Sequence, residues 1–138
     1  MESASTDRPL ADENQAERRR QLAIRAARTA AENRGQDVVV LDVRELTAIL
    51  DYFVIATGTS RRQLHAMSDE IARALREQLG SRRLGIEGYD GSRWILLDFG
   101  EVVVHLFDEE TRAYYDLENL WCDAKQVPWD PPPAAGTL

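Results

Sequence analysis

Apolar positions change their spacing several times along the chain, and each change predicts an element. From Gln15 to Asn33 the residues are mostly Ala, Arg, Glu and Leu, strong helix formers, and Asn33-Arg34-Gly35 is a common way to close a helix. The apolar stripe of this helix is thin: Leu22, Ala23, Ala26, Ala27 and Ala30. Asp37 to Val43 is a continuous β-branched run, which predicts a strand buried on both faces. Glu45 to Leu50 has room for only a turn or two of helix before a second strand, Tyr52 to Thr57, closed by Gly58. Ser60 and Gln63 then have the Ser-x-x-Gln spacing of a capping box. The helix it opens runs to about Leu79 and stops at Gly80. Leu64, Met67, Ile71, Leu75 and Leu79 recur along it every three or four residues, a stripe suited to covering a sheet.

A short strand at Gly85 to Glu87 precedes the most strongly patterned stretch, residues 93 to 107, where two β-branched and aromatic runs flank Asp98-Phe99-Gly100-Glu101. This predicts an antiparallel hairpin with Phe99-Gly100 as its loop, although Phe-Gly suits a type II turn better than the primed turns that two-residue hairpins prefer. In that register Trp94 faces His105 and Leu97 faces Val102. One face then carries Ile95, Leu97, Val102, Val104 and Leu106, and the other Trp94, Leu96, Val103, His105 and Phe107. A slip of one residue exchanges the two. The aliphatic face suits a helix-covered core. For the aromatic face two readings stay open: Trp94 and Phe107 fill core under a second helical layer, or they form a partner surface. Phe99 favours the second, since an aromatic at a hairpin tip has little core to reach. Asp98, Glu101, Asp108, Glu109 and Glu110 surround the patch with acid. After Phe107, Thr111 is a candidate cap for a short helical piece with Tyr114, Tyr115, Leu117, Leu120 and Trp121. Strand, helix and hairpin together predict an α/β fold: a mixed β-sheet flanked by helices, with a right-handed crossover.

The 138 residues suffice for one domain with a genuine core. We place it at 15–122, between a polar N-terminal extension, 1–14, expected to be disordered, and a flexible tail, 123–138, rich in proline. The net charge of −7 argues against general attraction to phosphate backbones, so no direct nucleic-acid binding is expected and a basic protein partner is favoured. The Arg18-Arg19-Arg20 run reads as a solvated helix face. A single cysteine, Cys122, fits a reducing compartment, and no stretch approaches the roughly 20 consecutive apolar residues of a membrane span. A cytoplasmic protein without membrane attachment is the expectation.

Chemical motifs are weak. Gly58-Thr59-Ser60 sits between a strand and a helix, where a phosphate could be held, but lacks the P-loop lysine and is explained by capping. Asp98-Phe99-Gly100 copies a kinase metal-binding triplet without the other kinase motifs. His65, His105 and Cys122 have no metal-ligand spacing, and no Gly-x-Ser-x-Gly is present. Nucleotidyltransferases pair a Gly-Ser turn with two acids on a strand, whereas Asp69 and Glu70 are adjacent in a helix and diverge by about 100°. No catalytic, cofactor-binding or metal-binding residue is therefore assigned.

Four segments, in this order and spacing, resemble the ribosomal silencing factor S family, also called Iojap-like proteins. They are Ala56-Thr57-Gly58-Thr59-Ser60-Arg61, Gly85-Ile86-Glu87-Gly88, the hairpin from Trp94 to His105, and Tyr115-Asp116-Leu117-Glu118-Asn119-Leu120-Trp121. The resemblance runs from about Gln15 to Trp121. It implies a nucleotidyltransferase-like fold without catalytic acids. It also implies a non-enzymatic translational repressor, which binds the large ribosomal subunit through its ribosomal protein fourteen, blocks joining of the small subunit when nutrients are scarce, and is a homodimer when free. Its partner contacts fall on Trp94 and on the apolar positions Phe99 and Phe107, with acids meeting basic residues of the partner. With the two-face pattern, this gives the candidate partner-binding set Trp94, Asp98, Phe99, Glu101, His105, Phe107, Asp108 and Glu109. The alternatives are a large-subunit assembly factor and, less favoured, a nucleotidyltransferase-type enzyme.

Overall fold

A capping box and a left-handed glycine delimit the helix on which the sheet is laid. The Ser60 hydroxyl accepts from the Gln63 amide, Gly80 closes the helix in the left-handed region, and Leu64, Met67, Ile71 and Leu75 between them are buried. The Gln63 side chain reaches further back than a simple box requires. It accepts from the Thr59 amide at 2.6 Å and donates to the carbonyl oxygens of Asn33 and Arg34, tying the start of this helix to the end of the first.

The computed structural model describes residues 2–130, with side-chain surroundings from Glu13 onward. In chain order the elements are α1 (Glu2–Glu32), β1 (Gln36–Asp42), β2 (Tyr52–Gly58), α2 (Arg61–Leu79), β3 (Gly85–Glu87), β4 (Trp94–Asp98), β5 (Val102–Asp108), α3 (Glu109–Tyr115), α4 (Leu117–Leu120) and β6 (Lys125–Gln126). Six strands form one sheet in the order β3-β4-β5-β2-β1-β6. β2 and β5 run parallel at its centre, and the other pairs are antiparallel. The fold is the expected α/β class. No helix among the described residues is long and apolar enough to cross a membrane.

Alternation along the strands divides the core in two. Tyr52, Val54, Ala56, Ile95, Leu97, Val104 and Leu106 face the stripes of α1 and α2, where Leu22, Ala23, Ala26, Ala27 and Ala30 are buried as expected. Gly58 lets α2 come this close: a Cβ there would lie 2.8 Å from the Leu64 side chain. That packing accounts for the glycine without a phosphate. The opposite face carries Phe53, Ile55, Val103 and Phe107, partly roofed by Leu117 and Trp121 of the α4 segment.

The structure corrects several expectations. α1 begins at Glu2, so the extension expected to be disordered to residue 14 is helical from there. β1 is buried on both faces only over its second half, with Val40 in the helix-covered core and Leu41 on the opposite face, while Gln36 and Asp37 are exposed. Residues 45–50 form turns, not helix. Asp108, not Thr111, caps α3: its carboxylate accepts from the Thr111 amide at 2.8 Å.

The proline-rich segment is docked as far as it is described. Lys125 and Gln126 pair with β1, the Val127 amide donates to Val40, the Trp129 indole N–H donates to the Val38 carbonyl, and Arg28 donates to the Trp129 carbonyl. The rest of the expected flexible tail, residues 131–138, lies outside the described residues.

Candidate partner-binding surface

β4 and β5 pair with Trp94 opposite Phe107, Leu97 opposite Val104 and Asp98 opposite Val103. This register is displaced by two residues from the expected one, so every side chain keeps its face while the loop moves to Gly100-Glu101. Gly100 has φ of 93°, the positive value a II′ turn requires at its first central position, where Phe99 would be strained. Asp98 supports the turn by accepting from the Gly100 amide at 2.8 Å.

Phe99 therefore lies just past β4, its amide donating to the Val102 carbonyl at 2.9 Å, and continues the series Ile95, Leu97, Phe99 into the helix-covered core, where it is 6% exposed. The expectation of an exposed aromatic tip is corrected on this point.

On the other face the aromatic residues form layers. Phe107 is buried, and the Trp94 ring lies over it with centroids 4.9 Å apart. Tyr115, brought in by α3, packs against Trp94 at 4.7 Å. His105 is buried between Phe53 at 5.0 Å and Phe107 at 6.1 Å, and its Nδ1 accepts from the Trp94 Nε1–H at 3.0 Å. An accepting Nδ1 places the single proton of the neutral ring on Nε2, which has no partner among the described residues. Burial pushes the His105 pKa down to about 4, so the ring is neutral near pH 7. His105 and Phe107 thus form the bed that fixes the Trp94 ring and are not themselves presented, a second correction to the expected contact set.

The presented surface is a groove of about 510 Å³ beside Trp94, bounded by Arg93, Glu110, Thr111, Tyr114 and Tyr115. Trp94 is half-buried, Tyr115 is 50% exposed and Tyr114 81%. Asp108 orders the groove through the α3 cap, and Arg112 locks α3 onto the sheet by donating to Thr57 Oγ1 and to both carboxylate oxygens of Glu118. Glu109 and Glu110 are exposed, and Glu110 lies 3.6 Å from Arg93. Glu101 is apart from this groove, at the hairpin tip beside Arg19.

The structure thus groups Trp94 with Tyr114, Tyr115 and Glu110. Asp108 caps the helix that carries the two tyrosines and Glu110, and Glu109 is exposed on it. This set is separate from Phe99 in the core and from Asp98 and Glu101 at the hairpin turn. The two tyrosines are the residues the candidate set leaves out. Their signal in the sequence is a pair of large rings in a seven-residue helix with no apolar stripe to receive both.

Other candidate chemistry is accounted for by packing. Asp69 accepts from the Tyr89 hydroxyl and Glu70 pairs with Arg73, so the two adjacent acids point to different partners. Cys122 is free and exposed.

A family model described as "Ribosomal silencing factor during starvation" matches residues 16–137. The chain belongs to the ribosomal silencing factor family. The match extends past Trp121 through the docked β6 segment, beyond the limit of the motif resemblance. Ribosomal silencing factor RsfS of Halalkalibacterium halodurans is 40% identical over 107 residues, covering 78% of this chain and 88% of that protein. The mouse protein named "Mitochondrial assembly of ribosomal large subunit protein 1" is 41% identical over 90 residues, covering 63% of this chain and 39% of its own length. A crystal structure of a Chromobacterium violaceum protein superimposes with a TM-score of 0.72 at 33% identity, covering 85% of this chain and 95% of that one. Membership in the silencing factor family supports a ribosome-associated silencing role.

Proposed function

We propose that this chain is a cytoplasmic translational repressor. It binds the large ribosomal subunit through ribosomal protein fourteen and stands in the way of the small subunit, lowering translation when nutrients are limiting. The observation that supports this most is the Trp94–Tyr114–Tyr115 groove. Its Trp94 ring is bedded on Phe107 and packed against Tyr115, with the exposed Tyr114 beside them. Glu110 is in the lining and Glu109 is exposed next to it in sequence. Half-buried aromatics on a fixed base supply contact area at low entropic cost, and acids at the rim suit a basic protein surface. The same reading takes the free chain as a homodimer, to be checked by its mass in solution.

The direct test is sedimentation with isolated large subunits. Wild type should enter the pellet and Trp94→Glu should remain in solution, because the substitution places a charge in the contact. Tyr114 is exposed and adds little to the monomer, so Tyr114→Ala should weaken binding about tenfold or more with an unchanged melting curve. Binding by both variants at wild-type strength would refute the surface. The mouse relative's name favours a second reading, action during large-subunit assembly. It predicts tighter binding to immature particles than to mature subunits.

A further inference from the structure

Beyond the loop of residues 88–92 lies a second groove, of about 540 Å³, lined by Asp69, Ala72, Arg73 and Arg76 of α2 and by Arg82 and Arg83 of the segment entering β3. Both grooves border that loop. Gly88 and Gly91 line the first, while the Tyr89 hydroxyl donates to Asp69 at the second. The loop is fastened to α2: the His65 ring stacks on Tyr89 at 3.9 Å, and its Nε2 lies 2.8 Å from Ser92 Oγ. The spatial relation between the two grooves is thus set by packed side chains.

In a chain of net charge −7, four guanidinium groups against the carboxylate of Asp69 and the paired Glu70 and Glu77 leave a small local excess of positive charge. Arg73 is paired with Glu70 and Arg76 with Glu77, whereas Arg82 and Arg83 have no carboxylate partner among the described residues. Net charge is a poor guide at this range, because charges more than about 8 Å apart are largely screened at physiological ionic strength. The whole-chain argument against nucleic acid therefore does not reach this groove.

We propose that the arginine groove takes the phosphodiester backbone of ribosomal RNA next to the protein partner's site, a contact that rests on the large-subunit reading above. The positive groups are spread along a turn of helix and the segment after it, which fits a polymer of repeating charge better than one compact anion. No aromatic ring lines the groove to stack a base, so the contact positions the protein without reading sequence.

The test uses the full chain and large subunits, with sedimentation at a series of salt concentrations. Arg82→Glu with Arg83→Glu should weaken binding at least tenfold at low salt and reduce the slope of log affinity against log salt by about 2, roughly one for each lost phosphate contact. Arg82→Lys with Arg83→Lys should keep most of the affinity and slope. A photoreactive benzophenone side chain incorporated at position 72 should form adducts with ribosomal RNA. If wild type binds but the Glu pair matches it in affinity and slope, or the adducts are only with protein, the RNA contact is wrong and the Trp94 surface stands. If wild type fails to bind large subunits at all, both readings fall.

Discussion

His105 is the residue whose chemistry follows most directly from its place. A pKa of about 4 in the folded protein lies below the ordinary histidine value of about 6.5, so as pH falls the unfolded chain takes up the proton first. The stability that depends on a neutral His105 is fully present above about pH 6.5 and is lost as pH falls to about 4, by on the order of 3 kcal/mol in total. Urea titrations at several pH values should show this loss in wild type. His105→Gln, which retains an acceptor for the Trp94 indole, should flatten the difference within that window. Phe99 supplies a second check at this scale. As a core residue it should cost about 3 kcal/mol or more on change to alanine, whereas an exposed tip residue would cost little. The alternation Ile95, Leu97, Phe99 already marks it as facing the helices. Placing the loop one residue early made it a tip.

At the scale of elements, α2 was legible to the residue, because a cap at Ser60, a stripe at helical spacing and a terminal glycine all agree. The hairpin faces were legible too, since the register differed by two residues and parity survived. The turn itself depended on which residue takes the positive φ, and the pattern of apolar positions does not encode that. The C-terminal segment was missed for a different reason. Proline-rich composition forbids long regular structure, yet a two-residue edge pairing and one indole anchor need neither length nor periodicity. Trp129→Ala should lower stability by about 1–3 kcal/mol in thermal or chemical unfolding, through lost packing and the lost bond to Val38. An unchanged midpoint would mean that the segment does not hold β1.

Taken whole, the molecule is a mixed sheet with one face closed by two long helices and the other closed in part by short ones. That asymmetry leaves Trp94 and the α3 tyrosines presented on a firm base. The two-face division of the hairpin was readable from the sequence alone. The groove was not, because it forms only when α3 packs against β5 and β2, which brings Tyr115 to Trp94 and Tyr114 to the same groove. Acidic rim residues also imply that binding to a basic partner weakens as salt rises. The most direct measurement is light scattering of small- and large-subunit joining in the presence of the purified chain. The account predicts that wild type suppresses joining in proportion to its occupancy of large subunits and that folded Trp94→Glu does not. Undiminished suppression by that variant, or unimpeded joining on saturated large subunits, would contradict it.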